Sequence, residues 1–372
     1  MDLAPGFSYF LNQIGKLFLS SGSDFSLTSL VSALCVAALF VILRLRRRKR
    51  PLRLKLIARA LFPRRLFTSA SVFADAGYLF FNLFVFGLLF GWAVLSYQFL
   101  TNGIIGALVT TFGAVKPTAL PELVSRSIIT VMLFLAYELG YWINHYLSHR
   151  VPIMWEFHRV HHTATVLTPL TLFRVHPVYM AIFLNILAVS TATVNGFANY
   201  MFGETAYQYA LADRNIILVF FIHTYVHLQH TQLWISFGGL AGRLFMSPAH
   251  HQVHHSTNPA HFNRNLGSCL AIWDWMFGTL YVPSKEPEKL SFGVEPDNRN
   301  IHSISESYIA PVYRAFSHIK AMLVRPSAPM PTSLGGPEAG VKGRRRASKR
   351  ARISRRCTTL RRGRRSARSA DG

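Results

Sequence analysis

The side chains able to do chemistry in this sequence are imidazoles, and they come in boxes. Most of its sixteen histidines fall into four short clusters: HYLSH at 145–149, HRVHH at 158–162, HTYVHLQH at 223–230 and HQVHH at 251–255. Residues three, four and seven apart share one face of a helix, so each cluster can aim two or three rings at one point. Pro152 separates the first two clusters and supplies a turn that folds them towards each other, and Pro248 sits where a helix carrying the last cluster would begin. Imidazole is a good ligand for iron, zinc, copper and nickel. Ten or so such nitrogens exceed what one first-row ion takes and suit two.

Other metal chemistries lack their residues. A helical-bundle di-iron site needs several Glu and a Glu-x-x-His, and few carboxylates lie near these boxes. A zinc hydrolase would carry His-Glu-x-x-His, but the residues inside the boxes are YLS, RV and QV. A bis-histidine haem needs lone histidines on facing helices. Outside the boxes, His302 and His318 are expected at the surface, and His250 and His261 at the surface or behind the ligands. His176, within RVHP, suits either a supporting or an interfacial place.

Elements that could carry these boxes are written in the composition. Hydrophobic residues make up 51% and charged ones only 15%, against about a quarter charged in a soluble domain. A bilayer core of ~30 Å takes about 20 apolar residues as helix. Five runs qualify: Ser26–Leu43, Gly77–Leu100, Leu123–Leu147, His176–Val194 and Tyr207–Leu228. Gly103–Val115 is short and reads as a loop or re-entrant piece.

The net charge of +24 is concentrated in Arg44–Arg65 and Lys342–Arg368, which hold 25 of the 40 Lys and Arg. Positive charge flanking a span marks the cytoplasmic side. Counting five crossings from there places every box on that side. The sequence therefore predicts an all-α integral membrane protein, with four to six transmembrane helices and a cytoplasmic helical cap carrying the histidine boxes.

Domain organisation follows the same pattern. Residues 1–70 form an N-terminal span and basic linker, 71–300 the membrane catalytic domain, 301–335 an extension, and 336–372 a basic tail too poor in apolar residues to fold. With no aromatic residues among its charges, the tail is not expected to bind nucleic acid. The first twenty residues do not read as a cleaved signal peptide. Cys35, Cys269 and Cys357 are too far apart in sequence for a CxxC metal or redox pair.

With the closing stretch NLGSCLAIWDWMFGT (265–279), the boxes HYLSH, HRVHH and HQVHH resemble the fatty acid hydroxylase/sterol desaturase superfamily of membrane non-haem di-iron oxygenases. The resemblance runs from about Tyr137 to Val282. The stretch EFHRVHHTATVLTPLTLFRVHP (156–177) looks like the bacterial members and the alkylglycerol monooxygenase branch. It implies that His145, His149, His158, His161, His162, His251, His254 and His255 bind metal. In the third box it favours His227 and His230, with His223 in reserve.

The resemblance further implies two iron ions (zinc can substitute in isolated protein) and a lipid substrate that is hydroxylated or desaturated at an unactivated C–H bond. For an ether lipid, hydroxylation next to the oxygen would lead to cleavage. Asp274 would orient a ligand through its second ring nitrogen, with Glu138 and Glu156 as weaker candidates for such support. Asn265 would bind metal through water or fix the last box. Trp155, Phe157, Trp273 and Phe277 would wall the pocket. No dinucleotide fingerprint, cysteine cluster or cytochrome b5 segment is visible, so electrons are expected from an external cytoplasmic donor of cytochrome b5 or ferredoxin type. The alternative is a histidine-rich membrane protein that transports or senses zinc or copper.

Overall fold

The computed structural model describes residues 4–116, 120–203, 207–294 and 300–324; the basic tail 336–372 lies outside them. Met1–Ala321 form one compact unit, and of the second, Met322–Gly372, only the end of the helix Ile304–Val324 is described. The described residues are mostly helical, and their two strands form one antiparallel hairpin pairing Ala210–Leu211 with Arg214–Asn215. The protein is an all-α integral membrane protein. Among the described residues four helical segments are long and apolar enough to cross a bilayer: Leu27–Arg47, Phe86–Phe112 (interrupted near residue 94), Glu122–Arg150 and Pro177–Phe202. Two shorter apolar helices, Ala70–Phe84 and Ile216–Gln229, accompany them.

The expected span Gly77–Leu100 is divided. One helix ends at Phe84, a short helical piece covers Phe86–Phe90, and a new helix runs Tyr97–Phe112. The break has a specific cause. Asn185, from the helix Pro177–Phe202, donates to the Ala93 carbonyl and accepts from the Leu95 N–H, both at 2.8 Å. Ser96 then caps the new helix by accepting from Phe99 N–H. Most of the presumed loop Gly103–Val115 is therefore helix, which ends at Gly113 with φ +82°. Dividing this run removes the basis for counting five crossings, and what unites the boxes is their direct geometry.

Glu122–Arg150 is the central strut. It meets Pro177–Phe202 through small residues: a Cβ on Gly140 would come within 3.0 Å of Ser190 Cβ, and Ser190 Oγ donates to the Ala136 carbonyl at 2.7 Å. Close helix approach of this kind replaces the hydrophobic driving force that lipid cannot supply. The strut ends at its histidine-bearing turn, where Val151 leaves the helix and Pro152 starts the next, Pro152–His162. Pro248 likewise takes the first position of Pro248–His254. Proline suits that position because its missing N–H would have no partner there.

Candidate metal centre

Nine imidazoles converge in two groups. His145, His149, His158, His162 and His254 form one, and His161, His230, His251 and His255 the other. Within each group the ligating nitrogens lie within 4.8 Å of one another, so each group could hold a metal ion. All are buried except His149, which is half-buried. The HRVHH box serves both groups: His158 and His162 lie one turn apart and face the first, while His161 faces the second.

The nitrogen spacing tests whether metal fits. In the second group His230 Nε2 stands 2.9 Å from His251 Nε2 and 3.2 Å from His255 Nε2, and those two are 3.1 Å apart. Neutral imidazole carries one N–H, so three mutually close nitrogens cannot be satisfied by hydrogen bonds alone. A cation about 2.1 Å from each, with ligands at right angles, would space them at about 3.0 Å. In the first group, His145 and His162 place Nε2 at 3.1 and 3.2 Å from His158 Nε2. The Nε2 atoms of His149 and His254 are buried without hydrogen-bond partners. The residues fit a metal in each group.

The surrounding backbone orients the rings. His145 Nδ1–H donates to the Leu266 carbonyl at 2.7 Å, and His254 Nδ1–H to the Arg264 carbonyl at 2.9 Å. Each bond leaves Nε2 as the lone-pair nitrogen, the tautomer a metal requires. Burial holds the imidazoles of His158, His162, His230, His251 and His255 well below their usual value, reinforced by neighbouring histidines. It lowers His161 to about 3 and His254 to about 4. These rings are neutral at physiological pH and available to bind.

Asp274 supports the site differently from the sequence expectation. Instead of meeting a ligand ring, its carboxylate accepts from Leu266 N–H, Gly267 N–H, Thr279 Oγ1 and Trp142 Nε1. It thus fixes the loop whose Leu266 carbonyl orients His145. Glu138 secures the next residues by accepting from Cys269 and Leu270 N–H. Gly267 is required here, since a Cβ would come within 2.2 Å of the Leu270 carbonyl oxygen. Asn265, at φ +57°, donates to the His250 carbonyl and accepts from Tyr281 N–H, tying this loop to the last box. Glu156 points elsewhere, pairing with Arg159 and Arg314.

His227 is not brought to either group, contrary to the sequence expectation. Its Nε2 meets Ser29 Oγ at 3.1 Å, and its ring lies edge-on to Phe25. The cause is local: just after the π-helical turn Ile222–Val226 the helix stops at Gln229, and it is His230 leaving the helix at ψ 60° that separates the two rings. Helical phase therefore no longer aims both rings at one point. His223 Nδ1 donates to the Val219 carbonyl.

The expected aromatic walls are also revised. Trp155 lies against His149 and His162, but Phe157 packs on His176 and Phe277 stacks on Trp142. The histidines instead open onto a cavity of about 670 Å³ lined by Tyr137, Tyr141, Tyr179 and Phe183. Leu133, Tyr137, Tyr141 and His145 lie at four-residue steps on the strut, so one helix face leads along the cavity to the metal ligands. Sequence reasoning missed this lining because the tyrosines sit within an otherwise apolar span.

His250 has a structural role. Its Nε2–H donates to the Gly242 carbonyl, while Nδ1 accepts from the Ser247 N–H and hydroxyl to cap Pro248–His254. Burial lowers it to about 4, against about 6.5 when unfolded. Its stabilising contribution is full above pH 6.5 and is lost as pH falls towards 4, because the unfolded chain then binds the extra proton. Melting profiles of wild type and His250→Gln should therefore converge on acidification from pH 7 to 5. A gap that stays constant with pH would contradict this role.

A membrane-embedded helical strut, a helical cap and paired imidazole clusters define the class of protein. Residues 130–279 match the family model for fatty acid hydroxylase, and the chain is similar to several alkylglycerol monooxygenases. Over 168 residues it is 30% identical to an alkylglycerol monooxygenase of Xenopus tropicalis, covering 44% of this chain and 32% of that protein. The Danio rerio protein of the same name is 27% identical over 163 residues, covering 44% and 32%. The Homo sapiens protein is 28% identical over 161 residues, covering 43% and 32%. The chain thus matches about a third of the length of these curated relatives. No solved structure matches it.

Proposed function

We propose that this protein is a membrane oxygenase that hydroxylates an unactivated C–H bond of a lipid at a pair of non-haem irons. The observation that carries this reading is the meeting of nine imidazoles in two metal-sized groups, of which His145, His158, His161 and His230 line one largely apolar cavity. His145, His149, His158, His162 and His254 would hold one iron, and His161, His230, His251 and His255 the other. Bound there, the irons would supply O₂ activation, one oxygen atom entering the C–H bond and the other leaving as water, with two electrons and two protons supplied from outside.

The chain's own contribution is positioning. The Leu266 and Arg264 carbonyls keep lone pairs aimed inward, burial keeps the rings neutral, and Tyr141 and Tyr179 hold a hydrocarbon chain beside them. The electron donor would be an external cytoplasmic protein of cytochrome b5 or ferredoxin type, which requires the boxes to share the cytoplasmic side with the arginines of Leu27–Arg47. The relatives' name makes a glyceryl ether lipid the first substrate to try. Ligands gathered into closed groups, rather than strung along a path through the bilayer, disfavour zinc or copper transport.

The protein purified in lipid nanodiscs should carry two irons per chain and, with a reductase chain and O₂, convert a lipid to a hydroxylated product or its cleavage fragments. A single readily exchanged zinc and no oxygen uptake would overturn the reading.

A further inference from the structure

The histidine-lined cavity contains an ion pair that the metal centre does not use. Arg214 Nη1 meets Asp24 Oδ1 at 2.6 Å, and both residues line the cavity with Gln208 and Asn215. Their side chains remain 37% and 40% exposed, so the pair faces open space instead of being packed away. An ion pair this exposed contributes little to stability. Stability therefore does not account for it.

The pair is held by built structure. Ala212 and Asp213 have φ of +47° and +64°, the backbone of a tight hairpin turn that places Arg214 opposite Leu211. Asn215 donates to the Thr130 carbonyl at 2.8 Å and to Gln208 Oε1 at 2.7 Å, securing the hairpin to the strut. Gly22 presses on the turn, where a Cβ would come within 2.5 Å of the Ala212 carbonyl oxygen, and this brings Asp24 alongside. A guanidinium has five N–H donors, and a carboxylate can accept about four hydrogen bonds. With Gln208, whose Oε1 is engaged and whose amide N–H groups can donate, and Asp213, which also lines the cavity, the wall offers donors and two carboxylate acceptors and carries a net negative charge. That pattern suits hydroxyl groups, whereas an anionic head would face the Asp24 carboxylate.

We propose that Arg214, Asp24 and Gln208 form the seat for the neutral, hydroxyl-bearing end of a single-chain lipid whose hydrocarbon runs along the cavity to the histidines. This rests on the lipid occupant of the proposed function, but binding tests it without turnover. The full chain in nanodiscs would be titrated with 1-O-hexadecylglycerol, its di-O-methyl derivative and hexadecanoate, with metal content measured in parallel. Wild type should favour the free diol over both competitors by about tenfold or more, the loss expected when a hydrogen-bonding wall goes unpaired.

Arg214→Met and Asp24→Asn should each bring the diol and its methylated form to near parity, and Arg214→Lys should retain part of the preference. A purely structural pair would weaken all three ligands together and leave their ratio unchanged. Equal binding of diol and methylated lipid by wild type, preference for hexadecanoate, or unaltered selectivity in Asp24→Asn would each overturn the proposal. A metal-free protein that still selects the diol would instead sink the oxygenase reading and leave this one standing.

Discussion

Replacing His230 with alanine is expected to cost one of the two metal ions and at least a hundredfold in lipid oxidation, whereas His227→Ala should keep both ions and most activity. The two residues lie three apart on one apolar segment, yet their surroundings differ. His230 Nε2 lies 2.9–3.2 Å from the corresponding nitrogens of His161, His251 and His255. Its group has four imidazoles and the other five, so losing one leaves only three here.

Losing a residue that merely supports a ligand already costs about 10–100-fold in metal affinity or activity, and losing the ligand itself should exceed that. His227 contacts Ser29 and Phe25 instead, so its loss removes a packing contact. Metal analysis and product formation, measured on both variants in nanodiscs, decide the matter. Equal metal loss from the two would show that the end of the helix at Gln229 does not separate them in solution.

That pair of residues also shows where sequence legibility stops. The boxes at 145–149, 158–162 and 251–255 could be read directly, because HxxxH and HxxHH on a helix put rings on one or two faces. The long apolar runs likewise announced membrane helices. Nothing in HTYVHLQH marks the helix end at Gln229, so the pairing of His227 with His230 that the resemblance favoured could not be checked from the sequence. The break near residue 94 was hidden for a related reason: its carbonyl and N–H are satisfied by Asn185, about ninety residues away in sequence.

The groups that orient His145 and His254 were invisible because they are backbone carbonyls of Leu266 and Arg264, which any sequence can supply. Asp274 was recognisable as a buried acid of consequence, but its action one step back, through the loop, required the fold. Asp75 had a readable signal that went unused: a lone carboxylate within ASVFADAGYLFF, where an unpaired charge would be costly.

Asp75→Ala is expected to destabilise the protein by about 3–5 kcal/mol, the cost of leaving a buried charge without its partner. Arg174 is fully buried and meets Asp75 at 2.6 Å, with both side chains at 0% exposure. Its other nitrogens donate to Thr163 Oγ1 and to the Ser71 carbonyl and hydroxyl, while Thr171 Oγ1 donates to the second oxygen of Asp75. The pair therefore bolts the helix Ala70–Phe84 to the 3₁₀ turn Pro169–Phe173 and to the residue following His162.

Releasing the bolt should loosen the box that serves both metal groups, so metal loss is expected alongside the fall in melting temperature. An apolar replacement of both partners, Asp75→Leu with Arg174→Met, removes the two charges together and should recover most of the stability lost in Asp75→Ala. Unfolding of the wild type, the single and the double variant, followed by tryptophan fluorescence in one detergent, makes the comparison. A single variant within 1 kcal/mol of wild type would mean that water reaches Arg174 and that the bolt holds nothing; a double variant as weak as the single one would trace the loss to packing instead of charge.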